Sequence, residues 1–321
     1  MFNYIVRRLL WMIPVILGVA IFIFSILYFV PGDPAQIILG SAATQDEIAY
    51  LRQEMGLNRP YLVQLGQFLS DTFLRGDLGE SFFTRIPVMR ELLNRIPRTL
   101  AIGLFSMLFT MLIGIPLGIM AAVNQNRLPD YICMVVALVG VSMPGFWLAL
   151  LLVIAFSLKL GWLPATGIGG PIFYILPIAS LTIGGLGGQA RMARSSMLEV
   201  IRSDYVVTAR AKGLTENEVI YKHALPNALM PIITVAGGRL AGIFGGSVII
   251  ETIFSIPGVG TYMIDAINKR DYPIVRGSVL FLAIIFSLCM LLVDITYAFV
   301  DPRIKARFTV SGKKRGSQDD Q

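Results

Sequence analysis

The chain has 321 residues, of which 55% are hydrophobic and only 15% are charged, and its mean hydropathy is +0.71. These values exclude an ordinary soluble globular protein, in which about 25% of the residues are charged, and they indicate a membrane protein. The formal net charge of +7 does not indicate nucleic-acid binding, because no basic stretch interleaved with aromatic residues lies in a soluble segment.

Five stretches contain no Asp, Glu, Lys or Arg and are long enough to cross a bilayer core, which requires roughly 20 apolar residues. They are residues 9–30, 100–123, 131–158, 160–190 and 277–293. A sixth stretch, residues 231–256, is apolar apart from Arg239 and Glu251. The sequence therefore predicts an all-α membrane protein with six transmembrane helices, in which Pro116 and Pro144 permit kinks.

Basic residues predict the orientation, because short loops rich in Lys and Arg stay in the cytoplasm. Fifteen of them fall in the amino terminus, the carboxyl-terminal tail and residues 124–130 and 191–230, against four in residues 159–170 and 257–276. Both termini are therefore predicted to be cytoplasmic. Residues 31–98 are nearly neutral, and a loop of that length translocates largely regardless of its charge, so this segment is predicted to lie outside.

The predicted organisation has four parts. Residues 1–30 form the cytoplasmic amino terminus and the first span, residues 31–98 an extracytoplasmic subdomain, residues 99–300 a core of five spans with a cytoplasmic loop at 191–230, and residues 301–321 a cytoplasmic tail. In the subdomain, Leu62, Leu65, Leu69 and Phe73 have helical spacing. The tail sequence GKKRG favours contact with anionic membrane lipid.

Glycines at four-residue spacing occur in three of the predicted spans. They are Gly114 and Gly118, Gly184 and Gly188, and Gly238, Gly242 and Gly246. Small residues so placed let helices approach closely. Two interpretations stay open, which are close packing within the chain and a face that packs on another transmembrane subunit.

Three charged residues in or near the predicted spans require partners or water, because a charge at the bilayer centre costs at least about 2.5 kcal/mol. Arg239 is expected either to line a cavity and contact an anionic group of a passing substrate, or to form an internal pair, with Asp294 as a candidate. Glu251 is expected to snorkel or to cap the turn before SIPGVG. Asp294 is expected to pair with a basic residue of DPRIK.

Catalytic and metal-binding chemistry have little support in the sequence. His223 is the only histidine, and Cys133 and Cys289 both lie in predicted spans, so the residues form no histidine cluster and no external disulfide framework. The chain has no GxxxxGK followed by Ser or Thr and no HExxH. We therefore predict no metal, no cofactor and no catalytic residue on this chain.

The polar stretch SDYVVTARAKGLTENEVIYKHALPNALMP interrupts the apolar runs. Thr215 followed by Glu218 fits a capping box, which predicts a short helix that begins near Thr215. Gly213 before it permits a chain reversal, and Leu225 before Pro226 predicts a second reversal. Two interpretations stay open, which are a surface for a cytosolic partner and a loop that shields the bundle.

This stretch resembles the EAA loop of ABC importer permeases. The resemblance rests on Gly213, followed after nine residues by HALP at 223–226. The leading Glu-Ala-Ala of the pattern falls on residues 207–209, so that only Ala209 matches, and His223 stands at the apolar position. The segments DYVVTARAKGL and KHALPNALMP, with FVPGDP, GDLGESF, ETIFSIPGVG, RDYPIVRG and DPRIK, resemble the permeases of dipeptide, oligopeptide and nickel importers over most of the chain.

The resemblance implies a type I ABC importer permease fold in the inner membrane of a prokaryote. It implies four kinds of partner: a second homologous permease, two ATPase subunits that carry ATP and Mg, an extracytoplasmic substrate-binding protein, and membrane lipid. Residues 215–222 would be the coupling helix. The implied coupling residues are Ala209, Gly213, Leu214, Thr215, Glu216, Asn217, Glu218, His223, Leu225 and Pro226. Arg239 would lie on the translocation path, and docking of the binding protein would involve Asp77, Pro257, Gly258, Arg270 and Asp271.

The implied function is ATP-driven, binding-protein-dependent import of di- or oligopeptides by alternating access. The residues leave open whether the substrate is instead glutathione or a nickel chelate. A secondary transporter or channel is the alternative of another class, and an intramembrane enzyme is a third. The residues favour the importer over both, because Arg239 is the one candidate for ion coupling and no catalytic group is evident.

Overall fold

The computed structural model describes the backbone of residues 2–300, and the side chains of this range except residues 2–4, 240, 241, 244, 246 and 296–300. The predicted tail, with DPRIK and GKKRG, lies outside the described residues. All regular secondary-structure elements of the described part are helices, and the β-structure there is limited to an isolated bridge between Glu80 and Pro87. The helices are α1 (Phe2–Phe29), α2 (Pro34–Leu39), α3 (Gln45–Glu54), α4 (Tyr61–Leu74), α5 (Val88–Val123), α6 (Leu128–Ser142), α7 (Gly145–Leu152), α8 (Ile175–Ile201), α9 (Asp204–Ala211), α10 (Glu216–Glu218), α11 (Leu225–Ile253), α12 (Val259–Lys269) and α13 (Tyr272–Val300).

Four of the described segments are long and apolar enough to cross a membrane, namely Ile5–Phe29, Val88–Val123, Pro171–Ile201 and Tyr272–Ile295. They become five if the bent pair Leu128–Ser142 and Gly145–Lys159 counts as one span. The fold is therefore a helical multi-pass membrane bundle. The predicted span at residues 231–256, the fifth in chain order, corresponds to α11, which has 29 residues and a length of about 43 Å at about 1.5 Å per residue; it stays a prediction.

The third predicted span is broken rather than kinked. Its two halves meet at 102°, and Met143 between them is extended, with ψ at 125°. Pro144 explains the break, because the residue before a proline is disfavoured in the helical region. The second half continues from α7 as a π-helix, Val153–Lys159.

Two helices have ends that differ from the predicted apolar stretches. Helix α5 begins at Val88, twelve residues before the apolar stretch, and α8 covers Ile175–Ile201 rather than residues 160–190. A scan for charge-free residues finds the part of a helix that lies in lipid, and a helix continues beyond it when polar ends can reach water. Consequently the loop predicted at 191–230 is shorter, since α8 includes Arg191 and Arg194.

The bundle has two ends, which we call the subdomain end and the loop end. At the subdomain end, α4 packs against α1, α12 packs against α5 and α13, and α2 packs against α3. At the loop end, α9 and the π-helical residues Val219–Ala224 pack in one cluster with α5, α8 and α11. Helix α8 lies at the centre, in contact with α5, α6, α7 and α11.

The spaced glycines divide into two groups. A Cβ atom at Gly114 would lie 3.0 Å from the Cβ of Gln189, and one at Gly118 would lie still closer, 2.4 Å from the Cβ of Ala193 and 2.5 Å from the Ala190 carbonyl oxygen. Close packing within the chain is therefore confirmed for the α5–α8 contact. In contrast, a Cβ atom at Gly184, Gly238 or Gly242 would meet no described atom within 4 Å, whereas one at Gly188 would lie 2.9 Å from the Arg239 guanidinium. These three open positions leave an uncovered small-residue surface on α8 and α11.

The predicted subdomain helix is confirmed as α4, but with a different buried face. Phe68 is the buried residue of this helix, and its ring stacks on Phe24 of α1 at 5.4 Å between centroids. Leu62, by contrast, is 75% exposed. The face that packs on the bundle contains Tyr61, Leu65, Phe68 and Leu69.

Candidate functional site

The segment between α8 and α11 has the local geometry that the sequence predicts for its first half. Gly213 has φ at +79° and ends the turn after α9, and its N–H donates to the Arg210 carbonyl at 2.9 Å. A Cβ atom there would meet nothing within 4 Å. Glycine is therefore required by the backbone conformation and not by space.

The capping box at the start of α10 is confirmed. The Glu218 N–H donates to Thr215 Oγ1 at 3.4 Å, and the Thr215 N–H donates to Glu218 Oε2 at 3.3 Å. Lys222 Nζ donates to the other oxygen of Glu218 at 2.9 Å. The Lys222 contact and the Thr215 hydrogen bonds lower the pKa of Glu218, so this carboxylate is held ionised in the first turn, where a negative charge stabilises the helix end.

The predicted reversal at Leu225 and Pro226 was wrong. Helix α10 continues as a π-helix, Val219–Ala224, and then as α11 without an interruption. Pro226 lies directly after the π-helix, inside this continuous helical segment and not at a chain reversal. The capped segment is therefore the lower extension of α11, and a displacement of one displaces the other.

The predicted coupling residues divide into a buried group and an exposed group. Ala209 is buried in the cluster that also contains Val206, Val219 and Ile220, and Leu214 and Leu225 pack against this cluster. The exposed members are Gly213, Thr215, Glu216, Asn217 and Pro226. His223 is partly buried, and its carbonyl accepts a hydrogen bond from the Asn227 side chain at 3.1 Å.

Three exposed apolar residues adjoin the exposed group, and sequence analysis missed them. Tyr205 and Val207 lie on α9, and Tyr221 in the π-helix is 58% exposed. We call Tyr205, Val207, Glu216, Asn217 and Tyr221 the loop surface. Exposed aromatic residues next to a salt-bridged rim, here Glu216 with Arg210 at 2.7 Å, are typical of protein contact surfaces.

Arg239 does not pair with Asp294. Its guanidinium donates to the Gly185 carbonyl of α8, whereas Asp294 lies 3.0 Å from Arg8. The predicted pair of Asp294 with DPRIK involves residues outside the described part. Arg239 is partly buried beside the open positions Gly238 and Gly184, and none of the described ion pairs includes it. The structure thus presents a cation next to an uncovered surface.

Glu251 does not snorkel. It is 0% exposed, and its carboxylate accepts hydrogen bonds from Thr99 Oγ1 at 2.6 Å, from the Gly260 N–H at 2.8 Å and from the Thr261 N–H at 3.1 Å. The predicted capping role is correct in kind, although the cap lies at the start of α12 and not before SIPGVG. Thr99 Oγ1 also accepts from the Val259 N–H at 2.9 Å, so this group joins α5, α11 and α12.

Two of the five predicted docking residues lie inside the protein. Asp271 is 2% exposed and accepts hydrogen bonds from Ser81 Oγ at 2.6 Å and the Phe82 N–H at 3.1 Å. Gly258 is buried, and a Cβ atom there would collide with the Glu251 carboxylate. Neither offers a direct contact to a partner in this conformation, because both hold loops of the subdomain end in place.

The other three predicted docking residues are exposed or partly exposed. Asp77 is exposed, and Pro257 and Arg270 are partly exposed. Arg270 donates to the Pro31 carbonyl, and the Pro257 carbonyl accepts from Arg98 at 3.2 Å. Docking through these residues stays a prediction.

Comparison with known proteins gives matches over most of the chain. Residues 114–306 match the family model of the binding-protein-dependent transport system inner membrane component, and residues 1–103 match the model of the N-terminal part of such membrane components. A dipeptide transport system permease of Alkalihalophilus pseudofirmus is 44% identical over 95% of this chain and 100% of its own length. A glutathione transport system permease of Salmonella choleraesuis is 41% identical over 95% of this chain and 99% of its own.

Solved structures support the fold. A methionine ABC transporter in inward-facing conformations aligns with a TM-score of 0.58 at 21% identity, and the alignment covers 66% of this chain and 97% of that chain. This likeness concerns the arrangement of the helices alone.

Proposed function

The chain belongs to the ABC importer permeases of the peptide and nickel family, the binding-protein-dependent transport system inner membrane components, and we propose that its substrates are di- or oligopeptides. Relatives named for dipeptide and for glutathione, itself a short peptide, support this substrate class. The chain supplies the membrane path, and an ATPase supplies the free energy.

The observation that carries the coupling part of the proposal is the continuity of the capped segment with α11. An ATPase that binds the loop surface moves the capped segment and α11 together, because one continuous helix runs from Glu216 through the π-helix to Ile253. Two nucleotide-dependent positions of the ATPase pair then favour two positions of α11. This is the differential binding that alternating access requires.

The proposed topology has six spans with both termini in the cytoplasm. The fifth span is α11, the broken pair of α6 and α7 is the third, and residues 31–87 form the outer subdomain. We place the start of the core at Val88, the first residue of α5, rather than at residue 99. The loop surface then faces the cytoplasm, where ATP is available, and the subdomain faces the binding protein.

The proposed assembly contains a second homologous permease. The uncovered positions Gly184, Gly238 and Gly242 support a close neighbour or a path at this face of α8 and α11. With two permeases, two loop surfaces would meet two ATPase subunits, which bind ATP and Mg in this scheme.

The proposal is tested by purification of the full chain from its native membrane in mild detergent, followed by reconstitution into liposomes. We expect two ATPases and a second permease to co-purify, and we expect uptake of a labelled dipeptide to require ATP and the binding protein. Recovery of the chain alone, with uptake that proceeds without ATP, would support a secondary transporter or channel instead.

We expect Arg239→Ala to lower uptake per assembled complex by roughly tenfold or more. A charge-assisted hydrogen bond to a passing anionic group contributes about 1.5–3 kcal/mol, and each 1.4 kcal/mol corresponds to about tenfold. Initial uptake rates and the amount of assembled complex are both measured. The control is Arg202→Ala, an exposed arginine that contacts Gln125 at the loop end. If Arg239→Ala instead lowers the amount of complex with normal uptake per complex, its role is structural.

A further inference from the structure

A cavity of about 820 Å³ lies at the subdomain end. The end of α1, the helices α2–α4, residues 77–82 and the first turns of α13 enclose it. Its volume lies in the range of small-molecule sites, about 300–1,000 Å³. Of the residues that the sequence singles out as site residues, Asp77 alone lines it, so none of the interactions above accounts for it.

Arg276 of α13 is the unusual residue of this cavity. Its guanidinium lies over two aromatic rings, 5.3 Å from the centroid of Phe24 and 4.8 Å from that of Phe68. The Nε atom is buried without a hydrogen-bond partner, and no described residue forms a salt bridge with this guanidinium. The hydroxyl of Tyr272, one turn earlier on the same helix, is also buried without a partner. Two donors are therefore unsatisfied in one wall.

No salt bridge joins Arg276 to an acidic residue within the described part of the chain, and three of the four carboxylates of the cavity pair with other arginines. Four carboxylates line the cavity: Asp33 pairs with Arg52, Asp71 with Arg75, Glu54 with Arg85, and Asp77 accepts from the Gly79 N–H. Asp271, which acts on Arg276 through its charge, accepts hydrogen bonds from Ser81 and Phe82.

The other arginines of the wall are also engaged. Arg52 pairs with Asp33 at 2.7 Å, and Arg59 donates to Gln67 at 2.7 Å. Gln67 is neutral, so Arg59 and Arg276 both lack a carboxylate partner among the described residues that line the cavity, and Arg276 is the one whose guanidinium has no described hydrogen bond. Guanidinium groups without a carboxylate partner favour an anionic ligand.

We propose that this cavity is a carboxylate-binding site in which Arg276 receives the C-terminal carboxylate of a short peptide. A guanidinium binds a carboxylate through two parallel hydrogen bonds. The rings of Phe24 and Phe68 hold the guanidinium plane of Arg276 in position through cation–π contacts. The remaining volume, lined by Gln36, Asn58 and Gln64 among others, accommodates the peptide backbone and small side chains.

The choice of a peptide as the carrier of the carboxylate rests on the proposed function, whereas the anion site does not. The position fits a holding site before the membrane path, since the cavity lies at the end opposite the loop surface. Peptide released beside the subdomain would bind there before it enters the path.

The test is equilibrium binding of the full chain in phosphatidylcholine nanodiscs, without ATP or partner proteins. The probes are the dipeptide Ala-Phe with a free carboxylate and the same dipeptide as its C-terminal amide. We expect the free acid to bind and to raise the unfolding temperature, and the amide to bind at least tenfold more weakly. This comparison uses the unaltered chain, so it does not depend on the folding of a variant.

Two variants assign the site. Arg276→Gln should abolish the preference for the free acid. Arg90→Gln, which alters an exposed arginine of α5 outside the wall, should bind as the unaltered chain does. An Arg276→Gln chain that keeps the original preference for the free acid would overturn the proposal.

Two other outcomes also overturn it. Equal binding of acid and amide, or no binding of either, would exclude a carboxylate site. If the dipeptide does not bind, and phosphatidylglycerol nanodiscs raise the unfolding temperature of the unaltered chain but not of Arg276→Gln, the cavity would be assigned to an anionic lipid headgroup. Either result leaves the importer function intact, because that function is measured by ATP-dependent uptake.

Discussion

Gly213→Val is expected to lower ATP-dependent uptake by roughly tenfold or more, whereas Gly213→Asn is expected to retain most of it. The φ of +79° at this residue costs an ordinary L-residue about 1–2 kcal/mol, and a β-branched residue fits worst. Asparagine tolerates this region. Since no atom lies within 4 Å of the Cβ position, the two variants differ in backbone strain and not in collisions with neighbouring residues.

The strain acts on coupling because Gly213 sets the angle between α9 and the capped segment. With valine, the turn shifts towards other conformations, and Glu216 and Asn217 move relative to Tyr205 and Val207 of the loop surface. Uptake of a labelled dipeptide, ATP hydrolysis and the amount of chain in the membrane are measured together. Normal uptake by the valine variant at normal amounts would show that this surface does not transmit the motion of the ATPase.

Local sequence signals were sufficient where a structure depends on residues three or four apart. Thr215 and Glu218 formed the predicted capping box, and a single glycine marked the turn before it. The break at Pro144 also has a local cause, which the sequence located. The sequence predicted only a kink there, because the size of the angle depends on how α7 packs on α8.

Contacts between distant residues were beyond the sequence. Asp130 is buried and forms two hydrogen bonds with Arg194, at 2.6 and 2.7 Å, and so joins α6 to α8. Asp271 binds Ser81, 190 positions away. A single sequence contains many Ser, Thr and Arg residues and does not record which of them meet. For this reason the prediction placed Asp271 on a surface, whereas it holds a loop inside.

Glu251→Ala is expected to produce the largest loss of stability. The replacement leaves the Gly260 and Thr261 N–H groups without an acceptor, and Thr99 Oγ1 loses its own. Each unsatisfied buried group costs about 1–3 kcal/mol, so the two N–H groups together cost roughly 2–6 kcal/mol. This is a large fraction of the net stability of a folded domain. We expect a much lower yield of folded chain and a lower unfolding temperature in detergent.

Glu251→Gln is the matched control, because it keeps the shape and replaces one acceptor oxygen by a donor. Its remaining oxygen can accept from both N–H groups, and its NH₂ group can donate to Thr99 Oγ1, since a hydroxyl oxygen has two lone pairs. Charge-assisted hydrogen bonds are roughly twice as strong as neutral ones, so the expected order of unfolding temperatures is Glu, then Gln, then Ala. If Gln and Ala were equally damaging, the negative charge and not the set of acceptors would hold α5, α11 and α12 together, and if both were neutral, the start of α12 would be held by other contacts.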